Sequence, residues 1–309
     1  MNSSTNRIAN IIIDCSIISL TSISICISTV VFGFILYYLI KIKNSPNQLA
    51  LLLTGNVYLS ILFSCILLLK EYVRILPGHL YSINSLNDGI YCEIRAYFLW
   101  ASNCTIYYSI TLQSFHPLCR IVFHNRRSLQ SIKFYQILIL IQWIICFLIM
   151  IPGLLLGYFK YSKNDYLCQV DYTSLKNTCI NGMLSYAFPV YATMGCYYHT
   201  LRKVRKGNHN LVQATARRDL IVLFRICILV GLFMIIPVPT MIGFFIYFSS
   251  GYLPWWLSQF QWFAFSLITN IATIILILIS PHVRILWTKT FHRPRHHPVA
   301  IVFANNIRN

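Results

Sequence analysis

The stretch from Cys92 to Phe123 reads C-E-I-R-A-Y-F-L-W-A-S-N-C-T-I-Y-Y-S-I-T-L-Q-S-F-H-P-L-C-R-I-V-F. It opens with a cysteine beside an acid and a base. It continues as an apolar and aromatic segment with scattered small polar residues. It runs out into a basic patch, Arg120 followed by Arg126 and Arg127. Wound as a helix, Cys92 to His116 spans about 34 Å, and a bilayer's hydrocarbon core is about 30 Å thick. The stretch reads as a membrane-crossing helix.

Composition agrees. The 309 residues are 57% hydrophobic and 10% charged, whereas soluble domains carry about 25% charged residues. Lipid is the expected solvent and the expected partner. A net charge of +18 could point to nucleic acid, but no soluble domain is left over to present a binding face, and the charges are sorted by loop. Nucleic acid is therefore not an expected partner.

Six further segments resemble the first. The expected spans are 17–40, 48–69, 93–115, 135–157, 182–201, 221–248 and 257–280. They are preceded by a tail over 1–16 and followed by a basic tail over 282–309. Asn2-Ser3-Ser4 in the first tail is a glycosylation acceptor pattern. Residues 283–291, V-R-I-L-W-T-K-T-F, form a basic amphipathic stretch after span seven. No cleavable leader is expected: the first apolar run contains Asp14 and lacks both a basic start and a small-residue cleavage site.

Lysine and arginine in the loops set the orientation. With the N-terminus outside, 17 of the 25 lysines and arginines fall in inner segments and 7 in outer ones, while six of the seven acids lie at or near the outer side. The expectation is a multi-pass protein of the plasma membrane with its tail in the cytosol. Eight of the eleven cysteines sit in or beside apolar segments, where cysteine behaves as a small hydrophobe. Only Cys92, Cys168 and Cys179 fall in outer loops, where oxidation is open to them.

Several classes are disfavoured. The two halves show no internal repeat of the kind many transporters carry. No span shows a chain of buried acids or a row of arginines. There is no phosphate-binding loop, no His-Glu-x-x-His and no pair of buried acids, so no enzyme and no cofactor is expected. His292, His296 and His297 read as a solvated tail rather than a metal site.

Seven spans, short inner loops and the basic stretch after span seven resemble the rhodopsin-like class of G-protein-coupled receptors, in a divergent form. Trp143 mid-span four, Pro189 in span five, Pro239 in span six and Tyr197 eight residues after Pro189 add to the likeness. The resemblance implies an all-helical seven-transmembrane bundle and a disulfide between Cys92 and Cys168. It implies a ligand pocket among the outer halves of spans three, five, six and seven, with Tyr97, Leu99, Trp100, Tyr107 and Trp262 as candidate lining. Amine receptors keep an aspartate seven residues after the span-three cysteine. Leu99 holds that place, so a biogenic amine is not the expected ligand.

The resemblance also implies a heterotrimeric G protein as partner, facing Arg120, Arg126, Arg127, Arg217 and Arg218. Asn56, Tyr197, Pro239 and Asn270 are its candidate interhelical and switch residues. For Asn56 and Asn270 the readings are static glue between helices or a relay between spans two and seven. Three motifs depart from the class. His116-Pro117-Leu118 stands where Asp-Arg-Tyr is usual. Ile235-Ile236-Pro237-Val238-Pro239 replaces Cys-Trp-x-Pro, and Asn-Pro-x-x-Tyr is not recognisable. The alternative is a seven-helix channel or transporter, or a receptor-like scaffold that does not couple.

Overall fold

A computed structural model describes residues 3–41, 48–81, 89–123, 126–162, 165–171, 175–206, 224, 227–252, 254 and 256–279. Those residues build the helices of a seven-span bundle. Span one is Ser3–Lys41, span two Gln48–Tyr81, span three Ile90–Val122 and span four Ile132–Leu155. Span five runs through Leu175–Gly182, a π-helical turn at Met183–Ala187 and Phe188–Lys206. Span six is Cys227–Ser250, interrupted by a turn over 234–237. Span seven is Leu257–Ile279. A two-stranded antiparallel hairpin, β1 (Phe159–Ser162) and β2 (Leu167–Val170), lies between spans four and five, with Tyr161 opposite Cys168.

Packing follows from which faces are apolar. Span two turns Val57, Ile61, Cys65, Leu68, Tyr72 and Ile75 inward at three- and four-residue spacing, the stripe of a core-facing helix. Span four does the reverse. Ile137, Leu140, Ile144 and Leu148 lie exposed on its outer face, while Gln142, Cys146 and Met150 are buried. An exposed apolar face of that extent needs hydrocarbon around it. Spans one, two, four, six and seven are each long and apolar enough to cross a membrane.

Span three is less apolar because it is the central post, packed against spans two, four and five. Its buried Ser102, Thr105, Ser109 and Ser114 donate to carbonyls three residues back, at 2.7–2.8 Å. Hydroxyls satisfied in this way need no partner from another helix. Ser131 starts span four as its N-cap, accepting from the Phe134 amide at 3.3 Å.

Most spans run longer than expected. Helix begins at Ser3, where the sequence suggested a tail over 1–16. Asp14 does not stop it, because Asp14 Oδ2 lies 2.5 Å from Nδ1 of His79 in span two. Span two continues past 69 through Lys70, Glu71 and Arg74, because Glu71 pairs with Arg95 at 3.2 Å and Arg74 at 3.5 Å. Individual acids are buried: Asp14 is 0%, Glu71 5% and Asp165 5% exposed. Span three continues helically through His116 and Pro117, past the expected end at 115.

Candidate functional site

The disulfide end of the bundle is organised by the hairpin. Cys168 of β2 is bonded to Cys92 at the start of span three, with Cα atoms 5.6 Å apart. The neighbouring Gln169 accepts a 2.6 Å hydrogen bond from Ser258 of span seven. Lys160 and Asp171 close the hairpin's base at 2.5 Å. At its turn, Tyr166 adopts a left-handed φ of 52°, uncommon for a residue with a side chain. Its ring meets the edge of His79 at 5.1 Å. The hairpin is thus strapped across spans two, three and seven.

Beneath it lies a cavity of about 90 Å³. Val170 of β2 forms part of its roof. Span three supplies Trp100, Asn103, Cys104 and Tyr107. Span five supplies Asn181, Gly182, Ser185 and Tyr186. Ile236, Pro237, Thr240 and Met241 come from span six, and Gln261, Trp262 and Phe265 from span seven. Of the sequence candidates, Trp100, Tyr107 and Trp262 line the cavity. Tyr97 does not: its hydroxyl donates to the Phe147 carbonyl of span four at 3.0 Å. Leu99 is packed into the main core.

The cavity floor meets the break in span six. Pro237 has no N–H, so the Phe233 carbonyl one turn back loses its helical partner. The Tyr186 hydroxyl reaches that carbonyl from span five at 3.4 Å. Tyr107 packs edge-on against both Tyr186 and Phe233, at 5.0 and 5.6 Å between ring centres. Pro239 is buried in the first turn of the following helix, Val238–Ser250. Tyr186 was missed by sequence reasoning. Its signal was the tyrosine three residues before Pro189, within the π-helical turn. Asn181 was missed because span five was set to begin at 182, seven residues after the helix actually starts.

Four residues of this lining each carry a buried side-chain atom without a hydrogen-bond partner among the described residues: Nε1 of Trp100, Nε1 of Trp262, Nδ2 of Asn181 and Oγ1 of Thr240. An unsatisfied buried donor costs about 1–3 kcal/mol.

The polar residues at mid-bundle form fixed ties. Asn56 donates to Gln142 at 2.7 Å and accepts from Trp143 Nε1 at 3.0 Å. Gln142 in turn donates to the Thr105 carbonyl at 3.1 Å. Asn270 donates to the Leu20 carbonyl of span one at 2.6 Å. Asn56 and Asn270 therefore bind different neighbours, and spans two and seven are tied instead by Tyr58, which donates to the Thr273 carbonyl at 3.0 Å. Arg95 pairs with Glu71, not with the adjacent Glu93.

At the opposite, basic end, Arg120 is half-buried in the last turn of span three and Arg126 is exposed. A cleft lined by Leu118, Val122, His199, Arg202 and Lys203 separates spans three and five. Tyr197 is half-buried on span five. Arg127 starts a short 3-10 turn, Arg127–Gln130; its side chain lies outside the description. Asn2, Arg217, Arg218, the side chain of Cys179 and the stretch 283–291 lie outside the described residues.

No protein-family model matches the chain, and no curated protein matches it in sequence. Among solved structures it is similar to the crystal structure of squid rhodopsin, with a TM-score of 0.71 at 15% identity over 93% of this chain and 86% of that one. The chain has the rhodopsin-like seven-helix fold. The apolar faces place the chain among multi-pass membrane proteins.

Proposed function

We propose that the chain is a cell-surface receptor that binds an extracellular ligand under the hairpin and passes the signal to a heterotrimeric G protein. One observation carries this reading. The cavity floor and the break in span six are the same place, since Pro237 lines the cavity and Tyr186 bonds the carbonyl that Pro237 leaves free. A ligand touching Tyr186, Ile236 or Pro237 acts directly on the joint between the two halves of span six. It shifts the bundle between two arrangements according to its affinity for each.

The basic residues around the cleft between spans three and five support a docking face for an acidic partner on the cytosolic side. The excess of lysine and arginine at that end supports an outside N-terminus in the plasma membrane. Outward movement of the lower half of span six would widen the cleft. A nucleotide-exchange assay with purified G proteins of each class, run against a ligand library, tests the proposal. Ligand-dependent exchange supports it. Ligand binding without exchange by any G protein favours the non-coupling scaffold, a reading that His116-Pro117-Leu118 in place of Asp-Arg-Tyr keeps open. Ion flux in its place would favour a channel or transporter.

A further inference from the structure

Among the described residues, the cavity wall carries no aspartate, glutamate, lysine, arginine or histidine. Nearby charges are engaged elsewhere: Glu71 with Arg95 and Arg74, and Asp14 with His79. A charged ligand entering this space would lose its hydration and meet no counter-ion. The wall is mostly aromatic and aliphatic, with Trp100 and Trp262 edge to face at 5.9 Å above Phe265 and Ile236. An apolar ligand body is therefore favoured.

Three of the four partnerless polar atoms in the wall can only donate. An indole N–H can only donate, an amide NH2 can only donate, and a hydroxyl can do either. Nε1 of Trp100, Nε1 of Trp262, Nδ2 of Asn181 and Oγ1 of Thr240 all lack a partner among the described residues. Trp262 is 2% and Asn181 6% exposed, so bulk water does not serve them. The residues that carry them come from spans three, seven, five and six and line one space. What satisfies them is a set of acceptors. A volume of about 90 Å³ limits the ligand to something on the order of one small ring.

Resting on the reading of this cavity as a ligand site, we propose that it takes small neutral molecules with an apolar body and acceptor oxygens. Ketones, esters and ethers belong to this class; ammonium and carboxylate ligands are excluded. The test uses the full chain in lipid nanodiscs and four probes built on one five-membered ring: cyclopentanone, cyclopentylammonium, cyclopentanecarboxylate and methylcyclopentane. Binding is read by ligand-observed saturation-transfer NMR and by the shift in the thermal transition. Cyclopentanone is expected to bind at least tenfold tighter than either charged probe, and severalfold tighter than methylcyclopentane.

Trp262→Phe keeps a ring and removes the donor, and Thr240→Val keeps the shape and removes the hydroxyl. Each should weaken cyclopentanone about fivefold while leaving methylcyclopentane within twofold. Trp100→Phe replaces Trp262→Phe if that variant lacks a thermal transition. The inference is overturned if cyclopentanone does not bind, if a charged probe binds as tightly, or if the variants weaken both neutral probes alike. Cyclopentanone binding with this selectivity but no nucleotide exchange upholds the ligand class and overturns the receptor reading instead.

Discussion

At the scale of single residues, two side chains do work that their neighbours in sequence do not reveal. Tyr186 supplies the hydrogen bond that span six cannot make for itself after Pro237. Tyr186→Phe keeps the ring contacts with Tyr107 and removes that bond together with the hydroxyl's 3.0 Å contact to Sδ of Met234, so a stability loss of ~0.5–1.5 kcal/mol is expected. A change in basal or ligand-driven nucleotide exchange larger than any change in surface expression is the functional counterpart. Unchanged signalling would separate Tyr186 from the joint.

Asp165 is the second. Burial raises its pKa from 3.8 to about 6, against the opposing pull of the Ser162 hydroxyl and of His79. The groups facing it are His79 of span two, Asp14 of span one and Gln259 of span seven. Because the folded value lies above the unfolded one, the stabilising contribution is complete below about 3.8 and is lost as pH rises through about 6. Between pH 5 and 7.4 the wild type should lose roughly 1.4 kcal/mol relative to Asp165→Asn. Thermal melts of both proteins across that range measure the difference. A constant gap would mean that Asp165 keeps an ordinary carboxylate pKa in the folded state.

At the scale of elements, close packing and cross-links set what can change. Gly243 is buried in span six against span seven, and a Cβ there would overlap the Leu257 side chain. Gly243→Ala should therefore cost ~1–3 kcal/mol. Gly243→Ala with Leu257→Ala should recover part of the loss, as a double-mutant cycle on thermal stability would show. Additive losses would place the two residues apart. The Cys92–Cys168 bond holds β2 over the cavity, and disulfides of this kind contribute ~2–4 kcal/mol. Cys92→Ala is expected to reduce surface expression and ligand response together, measured by surface labelling and nucleotide exchange. Normal values of both would remove the hairpin from the site.

At this scale it is also clear what could be seen in the chain alone. The seven spans were legible because each is an apolar run of bilayer length. Their ends were not. Asp14, Glu71 and Arg74 look like stop signals, and become tolerable inside helices only through His79 and Arg95, which lie far away in sequence. The same limit hid the ties of Asn56. A lone amide in an apolar helix announces that it needs a partner. Whether that partner is Gln142 on span four or Asn270 on span seven depends on how the helices turn. Trp100, Tyr107 and Trp262 could be nominated as aromatic residues near one end of their spans. Tyr97 and Leu99 fit that description too, and helix rotation sends them to span four and the core.

For the whole molecule, the cavity lies at the disulfide end, the cleft at the basic end, and the proline-broken span six between them. The central claim is that occupancy at one end moves the other through this joint. It is tested most directly by distances between spectroscopic labels on Val122 and Phe224, introduced as genetically encoded residues to leave the cysteines untouched. Cyclopentanone and G protein are added to the full chain in nanodiscs, with occupancy tracked in the same samples. The expected result is a shift of the distance distribution to longer values on ligand addition, enlarged by G protein. A saturated cavity with an unchanged distribution, with and without G protein, would contradict it.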